Sequence, residues 1–195
     1  EEEVQYQEVE ILEVGVLEVD KRAEMGFRRP GEVLLLIGEE RGELGASEVL
    51  YLLTGKEFGH PPRLDLGREK AVQEAIRDLI QRGLTRTAHD VAEGGLLLAL
   101  AEMTFPYGVG ATVEVREEGL EALFGEAPSR VLFTVEKTRL QEATLLLEER
   151  GLPYRVLGET GGKSLTVLTP GGVLEWSLEE LLSAWKAPLR EVLDG

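Results

Sequence analysis

The chain of 195 residues contains no cysteine. That absence excludes disulfides, thiolate metal sites and a thiol nucleophile together, and it fits a cytoplasmic address. Histidine is scarce: only His60 and His89 occur, and they form no pair at metal-binding spacing. No apolar run approaches the roughly 20 residues that cross a bilayer, and no basic-then-apolar leader opens the chain. Basic residues are outnumbered, 21 Lys and Arg against 37 Asp and Glu, giving a formal net charge of −16. Such a field repels a phosphate backbone or an anionic membrane, so neither nucleic acid nor membrane is an expected partner. An anionic ligand has to be held by local donors working against that field, or by basic residues of another domain.

What is present is enough for a globule. A hydrophobic share of 43% supplies a real core, and the length suits one medium domain or one domain with an appendage. The chain starts at Glu1 without an initiator methionine, as an excised piece of a longer protein would. Residues 1–20 alternate acidic and apolar positions with period two, a strand that needs either this fold's edge or a missing neighbour. Lys21 to Gly31 reads as a basic connector ending in a turn, and Val33 to Ile37 as a strand buried on both faces. Helices are expected after Ser47, from Leu66 to Arg82, from Arg139 to Arg150, and after the capping box Ser177-Leu178-Glu179-Glu180. Strands are expected at Gly110 to Arg116, Arg130 to Val135, Tyr154 to Leu157 and Ser164 to Leu168, the last two forming a hairpin around Gly161-Gly162. The irregular alternation indicates an α+β fold, an α/β sandwich with a mixed β-sheet packed with helices, rather than a strict doubly wound sheet.

Two stretches carry chemistry. In Thr87-Ala88-His89-Asp90-Val91-Ala92-Glu93-Gly94-Gly95, a short extended run delivers His89 and Asp90 to a glycine corner, and an apolar helix follows at once. Positive φ at Gly94 and Gly95 lets consecutive N–H groups converge where the helix dipole is positive, an anion-sized pocket. The plainer alternative has Asp90 or Glu93 capping the first turn while the glycines allow close packing. The second stretch, Leu123 to Arg130, sets Glu126, Ser129 and Arg130 in a loop of small residues just before a strand. Arg130 there offers a fork for a phosphorylated ligand; alternatively Glu126 and Arg130 pair with each other or with a neighbouring domain. His60, between Gly59 and two prolines, reads as an exposed loop residue. Gly158 to Ser164 is not a phosphate-binding P-loop, because its spacing is one residue short and a β-rich run follows it.

Together, Val14 to Glu39, Leu44 to Glu48, Pro62 to Leu66, Ala88 to Glu102, Gly108 to Ala111, Leu123 to Arg130 and Trp176 to Leu189 resemble the C-terminal part of the large subunit of phosphoribosylformylglycinamidine synthases, in the AIR synthase-related family. The resemblance implies a cytoplasmic enzyme of purine biosynthesis, an ATP-dependent C–N ligase. It makes formylglycinamidine ribonucleotide, ADP and phosphate from formylglycinamide ribonucleotide, ATP and glutamine-derived ammonia. It also implies a pseudo-twofold parent with two ATP-binding-like domains and two C-terminal-type domains, of which this chain resembles the second C-terminal copy. Residues 1–30 then resemble a terminal strand and linker from a preceding ATP-binding-like domain, and 31–195 the C-terminal domain itself.

ATP and Mg²⁺ are implied for the parent, with their ligands in other domains, so no catalytic residue and no metal ligand is assigned to this chain. The implied partners are the remaining domains, a glutaminase subunit with its own thiol nucleophile, and a small accessory subunit. The family's substrate loop Glu-Ser-Gln stands here as Glu126-Ala127-Pro128, and Ser-Asp-Gly-Gly as Ala92-Glu93-Gly94-Gly95. These losses imply an auxiliary or degenerate site, inactive in isolation, whose substrate- or phosphate-binding candidates are His89, Asp90, Gly94, Gly95, Glu126, Ser129 and Arg130. An autonomous nucleotide- or phosphate-binding module, or another enzyme of the superfamily such as thiamine-monophosphate kinase, are the competing readings.

Overall fold

The computed structural model describes residues 21–40, 42–56 and 58–194; the alternating strand expected within residues 1–20 lies outside them. In chain order these residues form β1 (Glu32–Ile37), α1 (Glu48–Thr54), α2 (Leu66–Gln81), β2 (Ala88–Asp90), α3 (Gly95–Thr104), β3 (Ala111–Glu114), α4 (Leu120–Phe124), β4 (Val131–Glu136), α5 (Leu140–Glu149), β5 (Tyr154–Thr160), β6 (Ser164–Thr169), β7 (Gly172–Ser177) and α6 (Leu178–Asp194). The strands make one sheet in the order β2-β4-β1-β5-β3-β6-β7. β3 pairs with β6 in parallel, and the other pairings are antiparallel, so the sheet is mixed as expected.

All six residues of β1 are buried, which its uninterrupted apolar run requires of a central strand. Alternation divides them between two layers. Leu34 and Leu36 join Leu96, Leu100 and Met103 of α3, while Val33, Leu35 and Ile37 join Val72 and Leu79 of α2 and Leu146 and Leu147 of α5. Helices therefore cover both faces of the sheet. The Ser177 box closes as expected: Glu180 Oε2 accepts the Ser177 N–H at 2.8 Å, and Ser177 Oγ accepts the Glu180 N–H at 3.2 Å.

Three features differ from the sequence reading. β5 and β6 are not a hairpin, because β3 lies between them. Gly158 makes room for it: a Cβ there would stand 2.0 Å from the Thr112 carbonyl oxygen. The Gly161-Gly162 turn instead clasps Gly110, whose carbonyl accepts from Gly161 N–H at 2.7 Å. β7 is an added edge strand, to which the sequence reading assigned no element. The end of the expected linker is stitched into the body as well, with Phe27 fully buried against α3 and its N–H donating to the Met103 carbonyl at 2.7 Å. Among the described residues, no helix is long and apolar enough to cross a membrane.

Candidate functional site

β2 ends at Asp90, directly opposite Val131 at the start of β4, and the Val91 N–H donates to the Arg130 carbonyl at 2.9 Å. The glycine bend and the loop before β4 therefore meet at one end of the sheet. Between them and the loop bearing Pro62 and Leu64 lies an open groove of about 560 Å³, with Asp90, Glu93, Glu126 and Pro128 among its lining residues.

Gly94 and Gly95 have φ of 77° and 70°, the left-handed conformation expected of that corner. Gly95 also has to be bare, because a Cβ there would come within 2.6 Å of the Phe124 backbone. The donors of the corner are already engaged. Gly94 N–H donates to Glu126 Oε1 at 2.9 Å, and Glu48 N–H, at the start of α1, donates to the same oxygen at 3.1 Å. A carboxylate of the chain itself thus takes the place that the sequence offered to an external anion, stabilised by the same dipole and N–H groups.

Arg130 is committed elsewhere too. Its Nε, Nη1 and Nη2 donate to the carbonyls of Glu39, Gly125 and Glu40 at 2.9, 2.8 and 2.6 Å. The residue is buried, and desolvation lowers its pKa to about 10, which leaves it charged at neutral pH. The expectation of a guanidinium fork for a phosphorylated ligand is corrected accordingly: the fork ties the loop after β1 to the loop before β4. The alternative Glu126–Arg130 pair is not formed either, since each side chain is satisfied by backbone.

Ser129 is buried at φ 61°, and its Oγ donates to Glu69 Oε2 at 2.7 Å. His89 does not line the groove. Its Nε2 lies 3.0 Å from Glu102 Oε2 and its Nδ1 3.2 Å from Asp90 Oδ1, so carboxylates hold both ring nitrogens and an anion finds no donor there. His60 is exposed, as expected of its loop.

The groove margin is consequently acidic, with Glu69, Asp90, Glu93 and Glu126 around a mainly apolar floor. Arg130, whose guanidinium lines the groove, is spent on carbonyls, and among the described residues no group of three His, Cys, Asp or Glu could hold a metal ion. Sequence reasoning did not find Glu48 and Glu69. Their contacts reach Glu126 and Ser129 across 78 and 60 positions, and the only local signal was Ser47 marking the start of α1.

Residues 29–169 match the family described as AIR synthase related protein, C-terminal domain. The chain is 44% identical over 177 residues to the phosphoribosylformylglycinamidine synthase subunit PurL of Moorella thermoacetica, covering 89% of this chain and 24% of that protein. It is 43% identical over 195 residues to the same subunit of Deinococcus radiodurans, covering 92% and 26% respectively. It therefore spans about a quarter of the length of these curated relatives. Among solved structures, it shares its fold with Thermotoga maritima PurL complexed with FGAR, with a TM-score of 0.74 at 20% identity, over 84% of this chain and 30% of the other.

Proposed function

The chain belongs to the family of AIR synthase related proteins, C-terminal domain, and from that premise we propose that it is the C-terminal domain of the large subunit of a phosphoribosylformylglycinamidine synthase. The parent is then an ATP-dependent ligase of purine biosynthesis in the cytoplasm. It converts formylglycinamide ribonucleotide, ATP and ammonia to formylglycinamidine ribonucleotide, ADP and phosphate. Magnesium serves the parent through residues outside this chain. Residues 1–30 bring in the end of a preceding ATP-binding-like domain. A glutaminase subunit and a small accessory subunit complete the assembly.

Within that parent this domain is a wall and not a catalyst. The observation that carries this reading is the engagement of Glu126 by the N–H groups of Gly94 and Glu48. With the Gly94 N–H holding an internal carboxylate and the Gly95 N–H donating to the Ala92 carbonyl, neither glycine of the corner offers its N–H to a transferred phosphoryl group or an oxyanion. His89, Asp90, Gly94, Gly95, Glu126, Ser129 and Arg130 then shape the groove, and their role toward substrate is auxiliary.

The test compares the 195-residue chain with its parent polypeptide, each given ATP, Mg²⁺, ammonium and formylglycinamide ribonucleotide. The parent is expected to amidate the ribonucleotide, whereas the chain alone makes no product and shows no saturable heat with ATP or ADP at millimolar concentration. Robust turnover by the chain alone would overturn the wall assignment. A parent without amidation activity would remove the synthase reading.

A further inference from the structure

Cations are the minority charge of this chain, yet one hollow is lined by them and by no carboxylate. It lies between the connector at 21–23 and helix α2, with a volume of about 500 Å³ and with Lys21, Arg22, Ile76, Arg77, Ile80 and Gln81 in its lining. That size is ordinary for a small-ligand pocket. None of its lining residues belongs to the groove at Asp90.

The sequence of α2 sets up this sidedness. Positions 73, 76, 77, 80 and 81 recur at helical spacing, so they share one stripe about 12 Å long. The acidic residues of the helix are engaged elsewhere: Glu74 and Asp78 pair with Arg150 at the end of α5, and Glu69 accepts from Ser129 Oγ and Gln73 Nε2. Arg77 and Gln81 are exposed, and among the described residues neither side chain has a hydrogen bond or ion pair. Arg22 Nη2 is held at 3.1 Å by Glu24, whose carboxylate also accepts from the Tyr107 hydroxyl. Ile76 and Ile80, one turn apart and half-buried, supply the apolar part of the lining.

We propose that this hollow binds a small amphipathic anion, a phosphate monoester with an apolar body. The body lies on Ile76 and Ile80, while Arg77 takes the phosphate and Lys21 and Arg22 add positive charge. Three observations select that class. Cations with no lining carboxylate call for an anion, held by local donors against the field of a chain of net charge −16, and a phosphate monoester is close to doubly charged at neutral pH. The Arg77 fork is unspent, unlike that of Arg130, so no internal bond has to break when a ligand enters. Two isoleucines offer no hydrogen bond, so a polar body such as a nucleoside loses its water there without replacement. The stripe is also short for a peptide, since 12 Å holds only about four extended residues. The proposal is independent of the synthase reading.

The experiment titrates 1-naphthyl phosphate into the 195-residue chain and into its parent polypeptide by calorimetry, and follows the amides of the chain by NMR. Saturable binding is expected, with a Kd below about 1 mM and shifts concentrated at residues 21–23 and 73–81. Arg77→Gln weakens it about tenfold in both proteins. Ile80→Ala weakens the naphthyl ester and leaves inorganic phosphate unchanged, and Arg63→Gln, outside the hollow, changes neither. Inorganic phosphate and ADP each bind about tenfold more weakly or less, and vesicles of anionic phospholipid do not capture the chain, because its net charge repels their surface. If a variant fails to fold, the NMR footprint and the comparison of ligands on the unmodified chain decide by themselves.

Absence of saturable binding, shifts that fall elsewhere, or equal affinity in Arg77→Gln overturns the proposal. Inorganic phosphate or ADP bound as tightly as the naphthyl ester removes the amphipathic class, and capture by vesicles assigns the hollow to a membrane surface instead. Arg77-dependent binding that is present in the chain and lost in the parent means that the hollow is covered in the intact protein, which overturns the site as well.

Discussion

The side-chain carboxylate of Glu126 accepts the backbone N–H of Gly94 at 2.9 Å, joining the loop before β4 to the first turn of α3. Because the same oxygen accepts from Glu48, one residue closes two helix N-termini. Substituting Glu126 with Ala removes the shared acceptor of both bonds, and the expected loss is about 2 kcal/mol of stability. Glu126→Gln keeps a neutral acceptor and loses about half as much. Urea denaturation of the three proteins checks the order; an alanine variant as stable as the unmodified chain contradicts the double-capping role.

Arg130 carries a larger share. Its replacement by Met leaves the carbonyls of Glu39, Glu40 and Gly125 without a donor, at an expected cost of about 3 kcal/mol or more. Lys restores the charge but cannot span all of them, so Arg130→Lys is expected to fall between the two. Since burial lowers the pKa only to about 10, the group is protonated in both folded and unfolded states at neutral pH. The stability difference between Arg130 and Met should accordingly stay constant between about pH 6 and 8. A marked slope in that window would contradict the assignment.

Glycine positions separate strain from crowding. Gly95→Ala meets both a left-handed backbone and the Phe124 main chain, for about 3 kcal/mol. Gly151→Ala, at φ 63° with nothing within 4 Å of the added Cβ, meets only the first, for about 1 kcal/mol. Thermal melts of both variants measure the difference, and comparable melting temperatures would mean that the α3–α4 contact yields more readily than its geometry implies.

Glu180 titrates below the ordinary glutamate value of about 4.3 because the Ser177 hydroxyl and N–H both bond its ionised form. A folded pKa below the unfolded one contributes stability that is complete above the unfolded value and lost as pH falls through the folded one. Acid should therefore loosen the start of α6. Carboxyl NMR titration reads the shift directly, and Ser177→Ala is expected to return it most of the way to the ordinary value.

Legibility in the sequence followed the range of the interaction. β1 announced itself by its apolar run, the Gly94-Gly95 corner by its composition, and α6 by its capping box, each of which is decided within a few positions. The placement of β3 between β5 and β6 depends on Gly158 and Gly110 admitting neighbouring backbone, so the Gly161-Gly162 turn looked like a hairpin. The candidate site divided in the same way. The two stretches were readable one by one, but the roles of Glu126 and Arg130 depend on partners at 48, 94, 39 and 40, and only the fold brings those together.

The insertion of β3 into the far half of the sheet also orders events at the ribosome. β3 can pair with nothing when it is made, because both of its neighbours, β5 and β6, are synthesised later. Its apolar residues Ala111 and Val113 have to wait in an incomplete layer until the chain through Thr169 has emerged. Translation that pauses or stops before that point leaves a sticky intermediate, and chaperone demand in the cell should rise with it.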